Sequence, residues 1–293
     1  MGTQRCQVAA RQIQRMAESG TVLLTPLVRA HVDRCRSCWG LLVAARWTAA
    51  KGSEDLHELK CFLGKRFESG IDPSWALADE WNSRSRKTRA AVEEFYQNTP
   101  WYIYNLVLWK ACGQRPDYVQ RATPVLKQYG IQSVLDFGAG VGTDALQFAQ
   151  MGLRTGVVEL NEAAIQFLLW RAQRRGVTVT RMDSPPTKQE SNFDLLWAVD
   201  VIEHLLEPVR TLTPYLVGSR LLIHDSEHKG KSGGRHPFHF KFNHMKLKRA
   251  WKTLGFVPDE NNSRTIQMRV FRSTQASKRE GRVDHATIVS VMK

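Results

Sequence analysis

Residues 133–144 constrain this 293-residue chain more than any other stretch. Ser133, Val134, Leu135, Asp136 and Phe137 are apolar but for one late carboxylate, the pattern of a parallel strand buried on both faces. Gly138, Gly140 and Gly142 follow at alternate positions, and a helical pattern runs over 143–151. A strand that turns through spaced glycines into a helix brings bare backbone up to a ligand. It also directs free N–H groups and the positive end of a helix dipole there. Strand patterns at 155–159, 177–181, 195–199 and 220–225 then alternate with helical ones at 162–175 and 244–254. That alternation predicts an α/β fold with a mostly parallel sheet. Two last apolar runs, 265–271 and 286–292, read as an antiparallel pair closing the sheet.

Dinucleotides and S-adenosylmethionine are both bound by such a turn. The dinucleotide pattern G-x-G-x-x-G is one residue longer in its last spacing than the G-x-G-x-G found here. Asp136, just before the turn, repels a pyrophosphate but suits a cofactor that carries an ammonium and a sulfonium. On these residues the chain resembles a class I S-adenosylmethionine-dependent methyltransferase. The resemblance implies a Rossmann-like sheet of seven strands, mostly parallel, with helices on both faces. It also implies a cofactor site of Asp136, Gly138, Ala139, Gly140, Gly142, Glu159, Leu160, Asp183, Ser184 and Asp200. Glu159, at a strand end about twenty residues past the turn, sits where ribose hydroxyls donate to a carboxylate. Leu160 would touch the adenine ring, and Asp183 would accept from its amino group.

The stretch 193–208 runs from an apolar strand into Asp200, Glu203 and His204. It resembles the Glu-x-x-Glu-His motif of the coenzyme Q biosynthetic O-methyltransferases, with Asp200 in place of the first Glu. Spacings of i, i+3 and i+4 predict that the three side chains share one helix face. They either hold a divalent cation or line the acceptor pocket without metal. Further on, His236 and His239 stand in a His-x-x-His-x-Phe setting similar to that of the small-RNA 3′-terminal 2′-O-methyltransferases, which bind magnesium. That likeness implies a magnesium set of Asp200, Glu203, His204 and His239, with His204, His236 and Asp200 as the catalytic groups. The expected reaction is methylation of a small-molecule acceptor, at oxygen. RNA is the alternative acceptor, and a cofactor-sensing protein without catalysis is the alternative outside enzymes.

Residues 3–50 read as two short helices, 4–18 and 25–34. Cys6 in the first joins His31, Cys35 and Cys38 around the second. Three cysteines and one histidine form the closed donor set of structural zinc, His31 and Cys35 lying four apart on one helix face. The layout resembles the zinc modules of zinc-dependent anti-sigma factors, which implies docking of a protein partner. Separate apolar thiols are the alternative, and Cys61 and Cys112 fit it. An odd cysteine count argues against a disulfide framework. The expected organisation is a zinc module over 1–50, a helical cap over 51–124 and the cofactor domain over 125–293. Aromatics cluster in the cap, and Tyr96 and Tyr104 stand out there as lid residues over the acceptor.

No apolar window reaches the roughly 18 residues that a membrane span needs. With no signal-type start either, a cytoplasmic location is expected. The net charge of +14 permits nucleic acid as a partner. Its densest part, 229–252, includes Lys231, Arg235, Lys241, Lys246, Lys248 and Arg249, and otherwise forms a solvated face.

Overall fold

A computed structural model describes residues 2–19, 24–182, 193–216, 218–225 and 237–274. Three helices open the chain: α1 (Gly2–Glu18), α2 (Pro26–Val32) and α3 (Arg36–Ala50). Five helices follow, α4 (Glu54–Leu63), α5 (Pro73–Asn82), α6 (Arg89–Asn98), α7 (Trp101–Ala111) and α8 (Tyr118–Gln128), the last crossing the end expected for the cap at 124. The α/β part then runs β1 (Ser133–Phe137), α9 (Thr143–Gln150), β2 (Arg154–Val158), α10 (Glu162–Arg174), β3 (Thr180–Arg181) and β4 (Leu195–Ala198). It ends with α11 (Pro208–Leu212), β5 (Leu221–His224), α12 (His244–Thr253), β6 (Phe256–Pro258), α13 (Glu260–Ile266) and β7 (Arg269–Ser273).

The seven strands lie in the order β3-β2-β1-β4-β5-β7-β6. The first five pair in parallel, and β7 is antiparallel to both β5 and β6. This is a Rossmann-like α/β sheet: the strand alternation predicts its mostly parallel α/β fold, and the resemblance implies its seven strands. Chain order reverses between β1 and β4, so a crevice opens there at the carboxyl edge. β1 and β4 are buried along their whole length because both faces are covered.

Four expectations about elements are corrected. The amino-terminal segment has three helices, because Cys35 is extended (φ −113°, ψ 106°) and becomes the N-cap of α3. His31 and Cys35 therefore belong to different helices rather than one face. The strand at 177–181 shrinks to Thr180–Arg181, the residues that pair with β2. The antiparallel partners of β7 are β5 and the short β6, while residue 265 lies in α13; the run 286–292 lies outside the described residues.

The three amino-terminal helices and the cap are joined by apolar packing. One buried cluster takes in Ile13, Val32, Cys38 and Leu42, then Val107 of α7, Val141 of the glycine turn and Phe167 of α10. A buried ion network reinforces it. Glu58 of α4 accepts from Arg171 Nε at 2.7 Å and from Arg175 Nη2 at 2.7 Å and Nε at 2.9 Å. Arg171 also donates to Asp55, and to the carbonyl of Val141 at 2.8 Å. On α12, Leu247 and Trp251 face the core and Lys246, Arg249 and Lys252 face solvent, as a solvated basic face requires.

His224 in β5 is buried and stacked on Phe271, and among the described residues neither ring nitrogen has a hydrogen-bond partner. Burial first, then the Arg269 charge, lowers its pKa to about 3. Unfolded chains take up a proton below about pH 6.5, whereas the folded state keeps this ring neutral. Its stabilising contribution is thus complete above pH 6.5 and is lost as pH falls toward 3. Urea unfolding should show about 2–3 kcal/mol of this loss by pH 4.5, at roughly 1.4 kcal/mol per pH unit. The variant His224→Phe should lack that component, and an unchanged pH dependence in it would contradict the assignment.

Candidate active site and metal centre

The glycine turn is set by packing as much as by any ligand. Gly138, Gly140 and Gly142 all have positive φ (74°, 53° and 78°), which side chains rarely adopt. A Cβ on Gly138 would stand 2.4 Å from Val201 Cγ2, and one on Gly140 would stand 2.6 Å from Leu106 Cδ1. The turn is therefore pressed between the loop after β4 and the cap helix α7. Four of its five N–H groups have partners, contrary to the expectation of free donors. Gly138 and Ala139 donate to the Val158 carbonyl, Gly142 to that of Ala139, and Gly140 to Glu159 Oε2 at 2.6 Å. Backbone shape and carboxylates, rather than a nest of open donors, define this site.

Those carboxylates flank the turn. Asp136 is buried, and burial, with the Asp144 charge added, raises its pKa well above the usual range, against Arg115, which lowers it. A buried acid in that condition gains most from a cationic group placed beside it. Glu159, just past β2, is also raised by burial, although the N–H groups of Asn161, Gly140 and Leu160 oppose this. Asn161 N–H donates to Glu159 Oε1 at 2.7 Å. Each carboxylate oxygen keeps lone-pair capacity for another donor. Leu160 is 45% exposed, an apolar side chain open to a flat ring. Asp183 and Ser184 lie outside the described residues.

Asp200 does not share a helix face with Glu203 and His204. It sits in a left-handed turn (φ 56°), and only Ile202–His204 form a short 3-10 helix. Tyr118 Oη lies 3.2 Å from Asp200 Oδ1 and 3.3 Å from Asp225 Oδ2, and Arg115 Nη2 lies 3.8 Å from Asp200 Oδ2. Glu203 is buried, which pushes its pKa up to about 7. His204 and His239 are neighbours, with ring centroids 4.7 Å apart. Asp200, Glu203, His204 and His239 do not converge as one ligand set among the described residues. His236 lies outside them.

Aromatic rings surround His204. Phe238 stacks on it at 5.8 Å, and Tyr96 meets it edge-on with Tyr96 Oη 2.7 Å from His204 Nδ1. Tyr102 packs against Tyr96. Tyr104 lies elsewhere in the cap, accepting from Glu68 N–H at 2.9 Å.

Sequence reasoning missed Arg115 and Asp144. Arg115 forms a buried bidentate pair with Asp144 at 2.7 and 2.8 Å, and Trp197 Nε1 donates to the same carboxylate at 3.0 Å. Partners 29 and 53 residues apart leave no local signal. Asn161 was within reach, since an Asn ahead of a helical pattern is an N-cap signature. Its side chain caps α10 through Ala164 N–H and donates to the carbonyls of Tyr96 and Thr99.

The four amino-terminal ligand candidates do come together. Cys6 Sγ lies 3.4 Å from His31 Nε2 and 3.8 Å from Cys35 Sγ, and Cys38 Sγ lies 3.4 Å from the same His31 nitrogen. A zinc tetrahedron with Zn–S of about 2.3 Å and Zn–N of about 2.0–2.1 Å has edges of about 3.8 Å (S to S) and about 3.5 Å (S to N). The donor set fits that ion. Cys61 and Cys112 stand apart as free thiols.

Residues 135–214 match the family profile described as a methyltransferase domain. No curated protein sequence matches the chain. Among solved structures, the chain is similar to an S-adenosylmethionine-dependent methyltransferase from Clostridium acetobutylicum ATCC 824, at 13% identity and a TM-score of 0.38. That likeness covers 43% of this chain and 58% of the other, so the chain spans less than two thirds of that protein. A magnesium protoporphyrin IX methyltransferase from Synechocystis PCC 6803 with bound SAM is similar at 14% identity and a TM-score of 0.40, over 70% of this chain and 98% of that one. The methyltransferase domain of bacterial CtHen1 is similar at 16% identity and a TM-score of 0.40, over 53% and 96%. No helix among the described residues is long and apolar enough to cross a membrane.

Proposed function

We propose that the chain binds S-adenosylmethionine and transfers its methyl group to a hydroxyl of a small-molecule acceptor. One observation carries this reading. Asp136, buried, and Glu159, half-buried, flank a tight glycine turn at the carboxyl ends of two adjacent parallel strands, within a segment matched as a methyltransferase domain. Asp136 would meet the ammonium, Glu159 the ribose hydroxyls and Leu160 the adenine face; the family resemblance assigns the adenine amino group to Asp183, which lies outside the described residues. The cofactor, when bound, supplies a carbon activated by its sulfonium. The chain must then align the acceptor, exclude water and take up the hydroxyl proton.

His204 is the base best supported, since a half-buried imidazole ringed by Phe238, Tyr96 and His239 suits an aromatic acceptor. Asp200, held by Tyr118 and Arg115, shapes the floor beside it. The amino-terminal cluster would hold one structural zinc through Cys6, His31, Cys35 and Cys38. Assays of labelled methyl transfer to phenols, catechols and short RNAs test the acceptor class. Phenol or catechol turnover at moderate salt is the expected result. Turnover of RNA alone, with binding that falls steeply with salt, would contradict the small-molecule reading.

A further inference from the structure

We propose that Tyr96 is a positioning residue for His204, holding the imidazole in the tautomer whose lone pair lies on Nε2. The proposal rests on the methyltransferase reading for its purpose but on hydrogen-bond geometry for its content. Tyr96 Oη has two polar neighbours, His204 Nδ1 at 2.7 Å and the Phe238 carbonyl at 3.3 Å. The hydroxyl owns one hydrogen, and a carbonyl only accepts. Both contacts are hydrogen bonds in one arrangement alone: Tyr96 donates to Phe238, and His204 Nδ1–H donates to the Tyr96 oxygen. The proton on His204 then sits on Nδ1, and Nε2 is the basic atom.

Both ends of Tyr96 are tied down, which an orienting group requires. Its carbonyl accepts from Asn161 Nδ2 at 2.7 Å, and Asn161 is the buried cap of α10, two residues past Glu159. Its ring packs edge-on against Phe95 and Tyr102. The backbone two residues past Phe238 is tied to the loop after β4, since Phe240 N–H donates to the Glu203 carbonyl at 2.6 Å. Burial raises the pKa of the Tyr96 phenol well above its usual value, so the hydroxyl keeps its hydrogen at working pH. The cofactor-strand end, the cap and the loop after β4 thus converge on one imidazole through a side chain 108 residues away in sequence.

The test uses full-length protein labelled with 15N-histidine, with the His204 signals assigned by their loss in His204→Gln. Long-range 1H–15N correlations at pH 8 should show protonated Nδ1 and unprotonated Nε2 in the wild type. In Tyr96→Phe the ring should revert to a majority of the Nε2–H form common in free imidazoles. Methyl transfer should then fall about 10- to 100-fold in kcat, with the KM for S-adenosylmethionine unchanged within about twofold. A wild-type His204 already in the Nε2–H form, or a tautomer unaltered in Tyr96→Phe, would overturn the proposal. If the tautomer shifts as expected but neither protein turns over any acceptor, the positioning role stands and the methyltransferase reading fails.

Discussion

Removing zinc from the purified chain should unfold the amino-terminal helices and cost more stability than any single substitution. The donors sit on three separate pieces of chain: Cys6 on α1, His31 on α2, and Cys35 and Cys38 at the start of α3. Apolar packing through Ile13, Val32 and Leu42 also joins these helices, but α2 has only seven residues and no side-chain cap. Short helices of this kind are marginal in water. Burial, with Cys35 and Cys6 beside it, raises the pKa of Cys38 to about 12, so without a cation Cys38 keeps its proton. Metal binding to such sites contributes roughly 10–16 kcal/mol at neutral pH in isolated modules. The same apolar cluster reaches Val107, Val141 and Phe167, so loosening should spread to the cap and the glycine turn. Elemental analysis should find one zinc per chain. Chelation, or Cys38→Ser, should lower the melting temperature by about 10 °C or more, with loss of helical signal. A content below half a zinc per chain, or an unchanged melting curve after stripping, would contradict the site.

Glu58→Ala should be the most damaging substitution outside the metal cluster, at about 3–5 kcal/mol. Glu58 is fully buried, and so is Arg171, which it binds. Burial alone would raise the Glu58 pKa, yet the Arg175 and Arg171 guanidiniums bring it below the usual carboxylate value. Truncation removes three hydrogen bonds and leaves Arg171 with Asp55 and the Val141 carbonyl. A buried guanidinium that loses its fully buried carboxylate and keeps only the partly exposed Asp55 is poorly compensated, and that costs more than the pair ever contributed. Because Arg171 holds Val141, the glycine turn should also become less well ordered. Urea unfolding of Glu58→Ala and Glu58→Gln measures the effect, and the Gln variant should recover part of it. A loss under about 1 kcal/mol in the Ala variant would mean that water reaches this network.

The strands and helices near the glycine turn were the most legible part of the sequence. β1 could be read at both ends because a buried apolar run stops at a glycine. α9 and α10 begin where expected and end one residue early, since each has an apolar face of regular period. What stayed hidden depends on backbone angles or distant partners. The extended Cys35 starts a third helix, Arg36–Ala50, where the sequence pattern predicts only two. The left-handed turn at Asp200 breaks an i, i+3, i+4 pattern that mimics a helix face. The Arg115–Asp144 pair and the Tyr96–His204 contact come from the packing of the cap on the sheet, and no window along the chain encodes them. The four candidate metal ligands were legible as a set, but their support from three helices was not.

The central claim is that the carboxylates on either side of the glycine turn receive a sulfonium nucleoside. Titration calorimetry of the zinc-loaded, full-length chain with S-adenosylmethionine and its demethylated product tests this most directly. The account predicts one molecule bound per chain, with a dissociation constant on the order of micromolar, and at least tenfold weaker binding in Glu159→Gln. Absence of heat with both nucleosides at ligand concentrations up to about 1 mM would contradict it.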